Sequence, residues 1–163
     1  MPDGLYEHDA LAWAEQQADL LRRLASGERL NAAVDWPNVI EEVQDVGLSE
    51  LRACRSLLVQ ALAHLLKLHA WPGSSAAAHW RGETASFLAG ARRSFTPSMR
   101  QRIDLADLYA DALYEVRTGT DDANELQPLP KMCPLTLGEL LVEHPDVAEL
   151  VTRLGGDRAG GPA

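Results

Sequence analysis

The stretch EEVQDVGLSELRACRSLLVQALAHLLKLHAW, residues 41–71, decides the fold class of this protein. Beyond Gly47 its apolar residues recur at helical spacing. At about 100° per residue, the leucines between positions 57 and 68 cover an arc of roughly 180°. An ordinary surface helix has a narrower apolar stripe. We therefore expect this helix to pack against neighbours on at least two sides. The stretch predicts the central helix of a helical bundle.

The other segments also carry helical spacing, and none alternates apolar with polar residues as a strand does. The sequence therefore predicts an all-α fold, a helical bundle of about five longer helices plus a short C-terminal helical arm. The longer helices are expected at about residues 8–25, 35–47, 49–70, 75–95 and 97–116. Thr136 and Glu139 are spaced as a capping box at the start of the arm. We expect residues 1–154 to form a single helical domain and residues 155–163 to be a disordered tail.

The second predicted helix is short and has an apolar face of its own. Asp35 is a good N-cap for it, and Gly47 is expected to end or bend it and to join it to the next helix by a tight turn. Its apolar face consists of Val39, Ile40, Val43 and Val46.

Charge and cysteine content narrow the classes of function. The 163 residues carry a formal net charge of −9, which repels a phosphate backbone on average and makes a nucleic-acid partner unlikely. The two cysteines, Cys54 and Cys133, fit neither a metal-ligand spacing nor a disulfide framework, as is typical of a cytoplasmic protein. Since the most apolar run, residues 57–68, is interrupted by polar residues and is short, we expect no membrane partner.

Four residues within the 41–71 stretch are candidates for a catalytic site: Glu42, Glu50, His64 and Lys67. A reversal at Gly47 would bring Glu42 and Glu50 together, and a metal-assisted hydrolase or similar enzyme would use them with His64 and a carboxylate of the first or fifth helix. However, His64 lies more than about 20 Å from Glu50 along a helix, so another helix would have to bridge that distance. Acidic residues at helix starts are also typical of a solvated face.

The histidines do not follow the spacing of a metal site. A single histidine is insufficient for zinc, and the Glu-x-x-His pattern of di-iron bundles does not occur. We therefore predict no metal and no other cofactor. Instead, His69 is expected inside the apolar arc, bonded to a backbone carbonyl or a carboxylate. At least one of His64 and Lys67 is expected to pair with an acidic residue of another helix, with candidates Glu15, Asp19 and Asp111.

The cysteines differ in what their positions predict. Cys54 lies on the apolar stripe beside Leu58, which predicts a buried thiol. Cys133 precedes Pro134 near a helix N-terminus, which makes it a candidate nucleophile, although a buried anchor for the arm is the commoner role.

One local patch is basic, although the chain as a whole is acidic. Arg92, Arg93, Arg100 and Arg102 cluster around the predicted turn between the fourth and fifth helices. Nucleic-acid binding would need a basic patch from these four residues with Arg22 and Arg23, and the Arg92–Arg102 patch makes a local site possible despite the net charge.

Six motifs follow one another along residues 6–143: HDALAWAEQQADLLRR, DWPNVIEEVQDVGLSELR, HLLKL, HWRG, TPSM and CPLTLGELL. In their order and spacing they resemble a bacterial family known as domain of unknown function 29. The resemblance implies an all-helical cytoplasmic protein and implies no activity. The chain departs from the family after Trp80, where ASFLAG stands in place of a helix richer in Arg and Gln.

The leading hypothesis for function is protein binding. We expect a small cytoplasmic helical protein that binds another protein, or a second copy of itself, through apolar helix faces. The alternatives are the metal-assisted hydrolase and nucleic-acid binding, and no motif of the chain identifies an enzyme.

Overall fold

The fold is that of a computed structural model, which describes residue 6 and residues 10–119 and 127–156. Six α-helices lie in these ranges: α1 Ala10–Ala25, α2 Trp36–Ala70, α3 Ala77–Ser94, α4 Leu105–Gly119, α5 Leu137–Leu140 and α6 Val147–Leu154. Short 3-10 helices occupy Asn31–Ala33 and Pro97–Met99. The described ranges contain no strand, and the predicted all-α class is confirmed.

The long helix α2 stands where the sequence predicts two helices. It contains 35 residues and continues through Gly47, so the predicted tight turn there was wrong. A single glycine in a helix costs only about 1 kcal/mol relative to alanine, and Gly47 does not have the positive φ of a helix-ending glycine. Gly27, which follows α1, has that conformation, with a φ of 97°. The longer helices in the described ranges therefore number four instead of about five.

The fifth predicted helix begins later than its sequence pattern indicates. Pro97 opens a 3-10 helix, and α4 starts only at Leu105. The carboxylate of Asp104 accepts a hydrogen bond from the backbone N–H of Ala106 at 2.9 Å. Because Asp104 satisfies a free N–H at this point, the helix starts there, and the predicted start at residue 97 was wrong.

The arm after residue 135 begins as its sequence predicts. Thr136 and Glu139 form the capping box, each side chain bonded to the backbone N–H of the other residue. The helix that follows, α5, contains four residues and ends at Leu140. Asp146 then caps α6 by accepting from the backbone N–H groups of Ala148 and Glu149.

The chain divides into two compact units, Met1–Ser49 and Glu50–Ala163. The first contains α1 and the beginning of α2, and the second contains the remainder of α2 and all later helices. The predicted single domain over residues 1–154 stays a prediction. Of the predicted tail, residues 157–163 lie outside the described residues.

A polar cluster joins α1 to the start of α2 within the first unit. The indole N–H of Trp13 donates to a carboxylate oxygen of Asp35 at 3.2 Å, and the Asn38 amide donates to the same oxygen at 2.7 Å. The backbone N–H of Asp35 donates to the Gln17 side chain at 2.9 Å. Trp13, Gln17 and Asp35 are all buried, and since each has a partner, the polar groups are satisfied.

The second unit is organised around the C-terminal part of α2. Leu58 and Leu62 are fully buried in its core, as the breadth of the apolar arc predicts. Helices α3 to α6 supply the other side of this core, with the buried residues Leu88, Ala91, Leu108, Tyr109, Ala112, Leu113, Val116, Leu140, Leu150 and Leu154. Removal of these side chains from water is the main force holding the unit together. None of the described helices has both the length and the apolar character needed to cross a lipid bilayer.

Candidate functional site

Glu42 is engaged within the first unit. Its carboxylate accepts a hydrogen bond from the Tyr6 hydroxyl, and this bond is the main reason that the pKa of Tyr6 is raised to about 12. The Tyr6 ring also meets the Trp13 ring edge-on, with centroids 4.9 Å apart. Glu42 therefore holds residue 6 against α1, which gives this carboxylate a structural role.

Glu50, the other acidic candidate, does not lie near His64. Glu50 and His64 both lie on the part of α2 that belongs to the second unit, and 14 residues of helix place them about 21 Å apart along the axis. Glu50 is exposed, whereas His64 is buried. In the described ranges, no group of three or more histidine, cysteine, aspartate or glutamate side chains can hold a metal ion. The hydrolase that the sequence offers as an alternative has no assembled metal centre in these ranges.

His64 instead lies between two hydrogen-bond acceptors. Its Nδ1 is 2.9 Å from the backbone oxygen of Gln60, one helical turn earlier, and its Nε2 is 2.7 Å from Oε2 of Glu83 on α3. Both contacts are hydrogen bonds only when both ring nitrogens carry a hydrogen, because both partner atoms are acceptors. The ring edge also packs on Phe87, with centroids 5.4 Å apart.

The same carboxylate oxygen of Glu83 has a second histidine beside it. Nε2 of His79, one turn earlier on α3, lies 3.3 Å from this oxygen and is exposed to solvent. The Lys67 ammonium lies 6.0 Å from the centroid of the Trp80 ring, within the range of a cation–π contact. The prediction that His64 or Lys67 pairs with an acidic residue of another helix is thus confirmed for His64. The partner is Glu83, so the predicted candidates Glu15, Asp19 and Asp111 were wrong.

The other buried histidine has the role its sequence position predicts. Nε2 of His69 lies 3.3 Å from the backbone oxygen of Pro128, and the residue is buried. This contact ties the end of α2 to the segment that leads into the arm. His69 is a structural residue.

An open groove lies beside the central helix, between α2 and α4. It has a volume of about 400 Å³, and its lining includes the apolar side chains of Val59 and Leu108. Arg55 and Asp111 put charges of opposite sign on its walls, and neither histidine nor cysteine is among its lining residues. The groove also has the hydroxyl groups of Ser56 and Tyr114 and the carboxylate of Glu115 in its lining.

The thiols are not activated. Both cysteines are free, Cys54 fully buried as predicted and Cys133 half-buried. Burial raises the pKa of the Cys133 thiol, and the same effect raises the pKa of Cys54. Since the thiolate is the nucleophile, a raised pKa argues against a catalytic Cys133 and favours its role as an anchor of the arm.

The arginines of the Arg92–Arg102 patch are all exposed to solvent. Arg92 lies 4.0 Å from the carboxylate of Glu143, and the Arg100 guanidinium lies 5.6 Å from the centroid of the Phe95 ring. Nucleic-acid binding through this patch stays a prediction, and an electrophoretic shift that weakens steeply with salt would support it.

Three large apolar side chains on one face of the first part of α2 are exposed. Ile40, Val43 and Val46 are exposed by 54%, 69% and 67% of their surfaces. We call these three residues the exposed stripe. The sequence pattern identifies them as one helix face, and in the structure all three side chains of this face are exposed. The pattern alone gives no sign that the face stays open.

Comparison with known proteins gives a family and a fold. The model of a family described as "Domain of unknown function DUF29" matches residues 5–144. The chain is 33% identical to an alpha-helical protein of unknown function from Rhodospirillum rubrum ATCC 11170, whose crystal structure superposes with a TM-score of 0.71. This similarity covers 92% of the chain and 97% of the other protein. No curated protein sequence matches the chain.

Proposed function

The chain belongs to the DUF29 family, whose description names no activity, and from this premise we propose that it acts by binding another protein through the exposed stripe of α2. The observation that carries the proposal is the exposure of Ile40, Val43 and Val46, each by more than half of its surface. Large apolar side chains that adjoin one another on the surface of a folded protein are typical of interaction sites.

The geometry of the stripe suits a helix-sized partner surface. Its residues are three positions apart, so they follow one another along one side of α2 over about 9 Å. Complete removal of one such side chain from water contributes up to about 1.5–3 kcal/mol. Burial of three adjoining side chains of this kind would therefore supply a substantial part of the binding free energy of a specific complex.

The proposal includes a cytoplasmic location. It is supported by the two cysteines, which are both free, since secreted domains more often pair their thiols. Nothing in the proposed binding requires a cofactor or a metal ion.

Affinity purification from the source cell tests the proposal. The baits are the wild-type chain, the stripe variant Val43→Glu/Val46→Glu, and Val142→Glu as a matched control at an exposed valine of the second unit. We expect one partner, identified by mass spectrometry and then purified, to bind the wild type and the control but not the stripe variant. Circular dichroism must show the same helix content for all three baits.

Two results of this experiment would overturn the proposal. One is a partner that binds the stripe variant as strongly as the wild type. The other is the same set of captured proteins for all three baits, which would mean that the stripe contributes nothing to binding.

A further inference from the structure

We infer that the occupant of the exposed stripe is a basic amphipathic helix of another protein, with apolar residues on one face and Lys or Arg beside them. This inference rests on the proposed function and adds the chemistry of the partner. Two independent features of α2 carry it: the charge of the residues that flank the stripe, and a glycine that lies within it.

The flank of the stripe is acidic. Between residues 36 and 49 the chain has three carboxylates, Glu41, Glu42 and Asp45, and no Lys, Arg or His. At about 100° per residue, Glu42 falls roughly 40° beyond the edge of the stripe that Val46 forms, and Asp45 falls roughly 60° further around. A partner packed on the stripe therefore has negative charge along one side of the contact.

A second copy of the chain fits this flank poorly. Each copy would bring the same three carboxylates and no cation from this stretch, and the chain as a whole carries a formal net charge of −9. Like charges along the rim of an interface disfavour association, whereas Lys or Arg there would speed it and strengthen it at low salt. Charge complementarity thus selects a basic partner over a second copy.

Gly47 supplies the second feature. At about 100° per residue it falls between Ile40 and Val43, inside the arc of the stripe. A Cβ atom added at Gly47 would meet nothing within 4 Å, and the residue does not have a positive φ. The fold itself therefore has no need of a glycine here, although glycine is less favourable than alanine within a helix.

A partner helix that packs closely on α2 would explain why residue 47 is a glycine. The distance between two packed helix axes depends on the side chains at the contact, and glycine permits the nearest approach. A helix that lays its apolar face on the stripe, with its backbone passing over Gly47, uses both the open notch and the apolar side chains beside it. An extended, irregular segment would have less use for such a notch.

Two synthetic peptides test the inference. Both are helical, labelled with fluorescein and identical on their leucine face; one has lysine beside that face, and the other has glutamate. Binding to the full chain is measured by fluorescence anisotropy at low and high NaCl. We expect the lysine peptide to bind at least about tenfold more tightly than the glutamate peptide, with an affinity that falls as salt is raised.

Variants of the chain then assign the binding to the two features. Val43→Ser/Val46→Ser should abolish binding of the lysine peptide, and Asp45→Asn, which leaves Glu42 bonded to Tyr6, should remove part of its salt dependence. Gly47→Ala should raise the melting temperature of the chain and yet weaken binding about tenfold, because the new methyl group fills the notch. Val142→Glu in the second unit is the control and should bind as the wild type does.

The outcomes separate this inference from the proposed function. Equal binding of the two peptides, or binding that Gly47→Ala leaves unchanged, overturns the inference. A dimer in sedimentation equilibrium that Val43→Ser/Val46→Ser abolishes also overturns it, but leaves the proposed function standing with a second copy as the partner. If neither peptide binds and the captured partners do not depend on the stripe, both proposals fail.

Discussion

Nε2 of His64 on α2 lies 2.7 Å from Oε2 of Glu83 on α3, and this contact connects the central helix of the second unit to its neighbour. The His64 side chain is 9% exposed, and the Glu83 side chain is 38% exposed. The contact thus lies at the edge of the core, where a polar link fixes the relative position of two helices without leaving a charge unpaired.

Loss of the Glu83 carboxylate should destabilise the second unit. In Glu83→Ala, the buried ring of His64 keeps its bond to Gln60 but loses its other partner, so we expect a cost of about 1–3 kcal/mol in the free energy of unfolding. Urea denaturation followed by circular dichroism measures it. Glu143→Ala is the control, because its exposed contact with Arg92 should contribute no more than about 1 kcal/mol. Equal stabilities of the two variants would mean that the His64 contact adds nothing.

Two leucines of α2 should be essential to the core. Leu58→Ala and Leu62→Ala each remove a fully buried side chain, which should cost about 2–5 kcal/mol. Val43→Ala, on the same helix but 69% exposed, is the matched control and should change stability by less than about 0.5 kcal/mol. Thermal melts of the three variants test this. A melting temperature that stays at the wild-type value in Leu58→Ala would place that part of α2 outside the core.

The two thiols should label slowly, and for different reasons. Cys54 is fully buried, so a thiol reagent should reach it only when the second unit opens. Cys133 is half-buried with a raised pKa, so its labelling should stay slow at pH 8 and accelerate as the pH rises past 9. Kinetics with Ellman's reagent on Cys54→Ser and Cys133→Ser separate the two rates, and urea-unfolded protein gives the reference. Fast labelling of Cys133 at pH 7 would restore it as a candidate nucleophile.

Stability should fall at alkaline pH because of Tyr109. Its hydroxyl donates to the backbone oxygen of Pro130 at 2.9 Å, and burial raises its pKa well above the ordinary value of 10.0. The unfolded chain releases this proton near pH 10 and the folded chain does not, so the stabilisation is complete below pH 10 and decreases as the pH rises towards the folded pKa.

The variant Tyr109→Phe isolates that contribution. It should be less stable than the wild type at pH 8, by about 0.5–1.5 kcal/mol for the lost hydrogen bond. The difference between the two proteins should shrink as the pH rises above 10, in urea titrations at each pH. A difference that is constant from pH 8 to 11 would show that Tyr109 does not titrate differently in the folded and unfolded chains.

The sequence predicts the helices better than their ends. The 3.6-residue period marks every long helix because it depends on neighbouring residues of one segment. Ends depend on single residues with competing roles. Asp104, which lies inside the predicted fifth helix, begins α4 by capping it, while Gly47, which was expected to end a helix, lies within one. The capping box of Thr136 and Glu139 was predicted correctly because both of its partners are local in sequence.

The same distinction between local pattern and tertiary packing applies to the candidate site. That His64 would pair across helices follows from a polar residue at the edge of an apolar arc, but Glu83 as its partner depends on how α3 packs, which no local pattern contains. Likewise, Leu58 and Val43 both belong to apolar faces of α2, yet one is fully buried and the other is 69% exposed. The sequence by itself determined the all-α class, the central helix and the apolar faces, because these arise from the geometry of one helix. Only the tertiary structure decided which of those faces found a partner within the chain, because burial depends on surfaces that lie far apart in sequence.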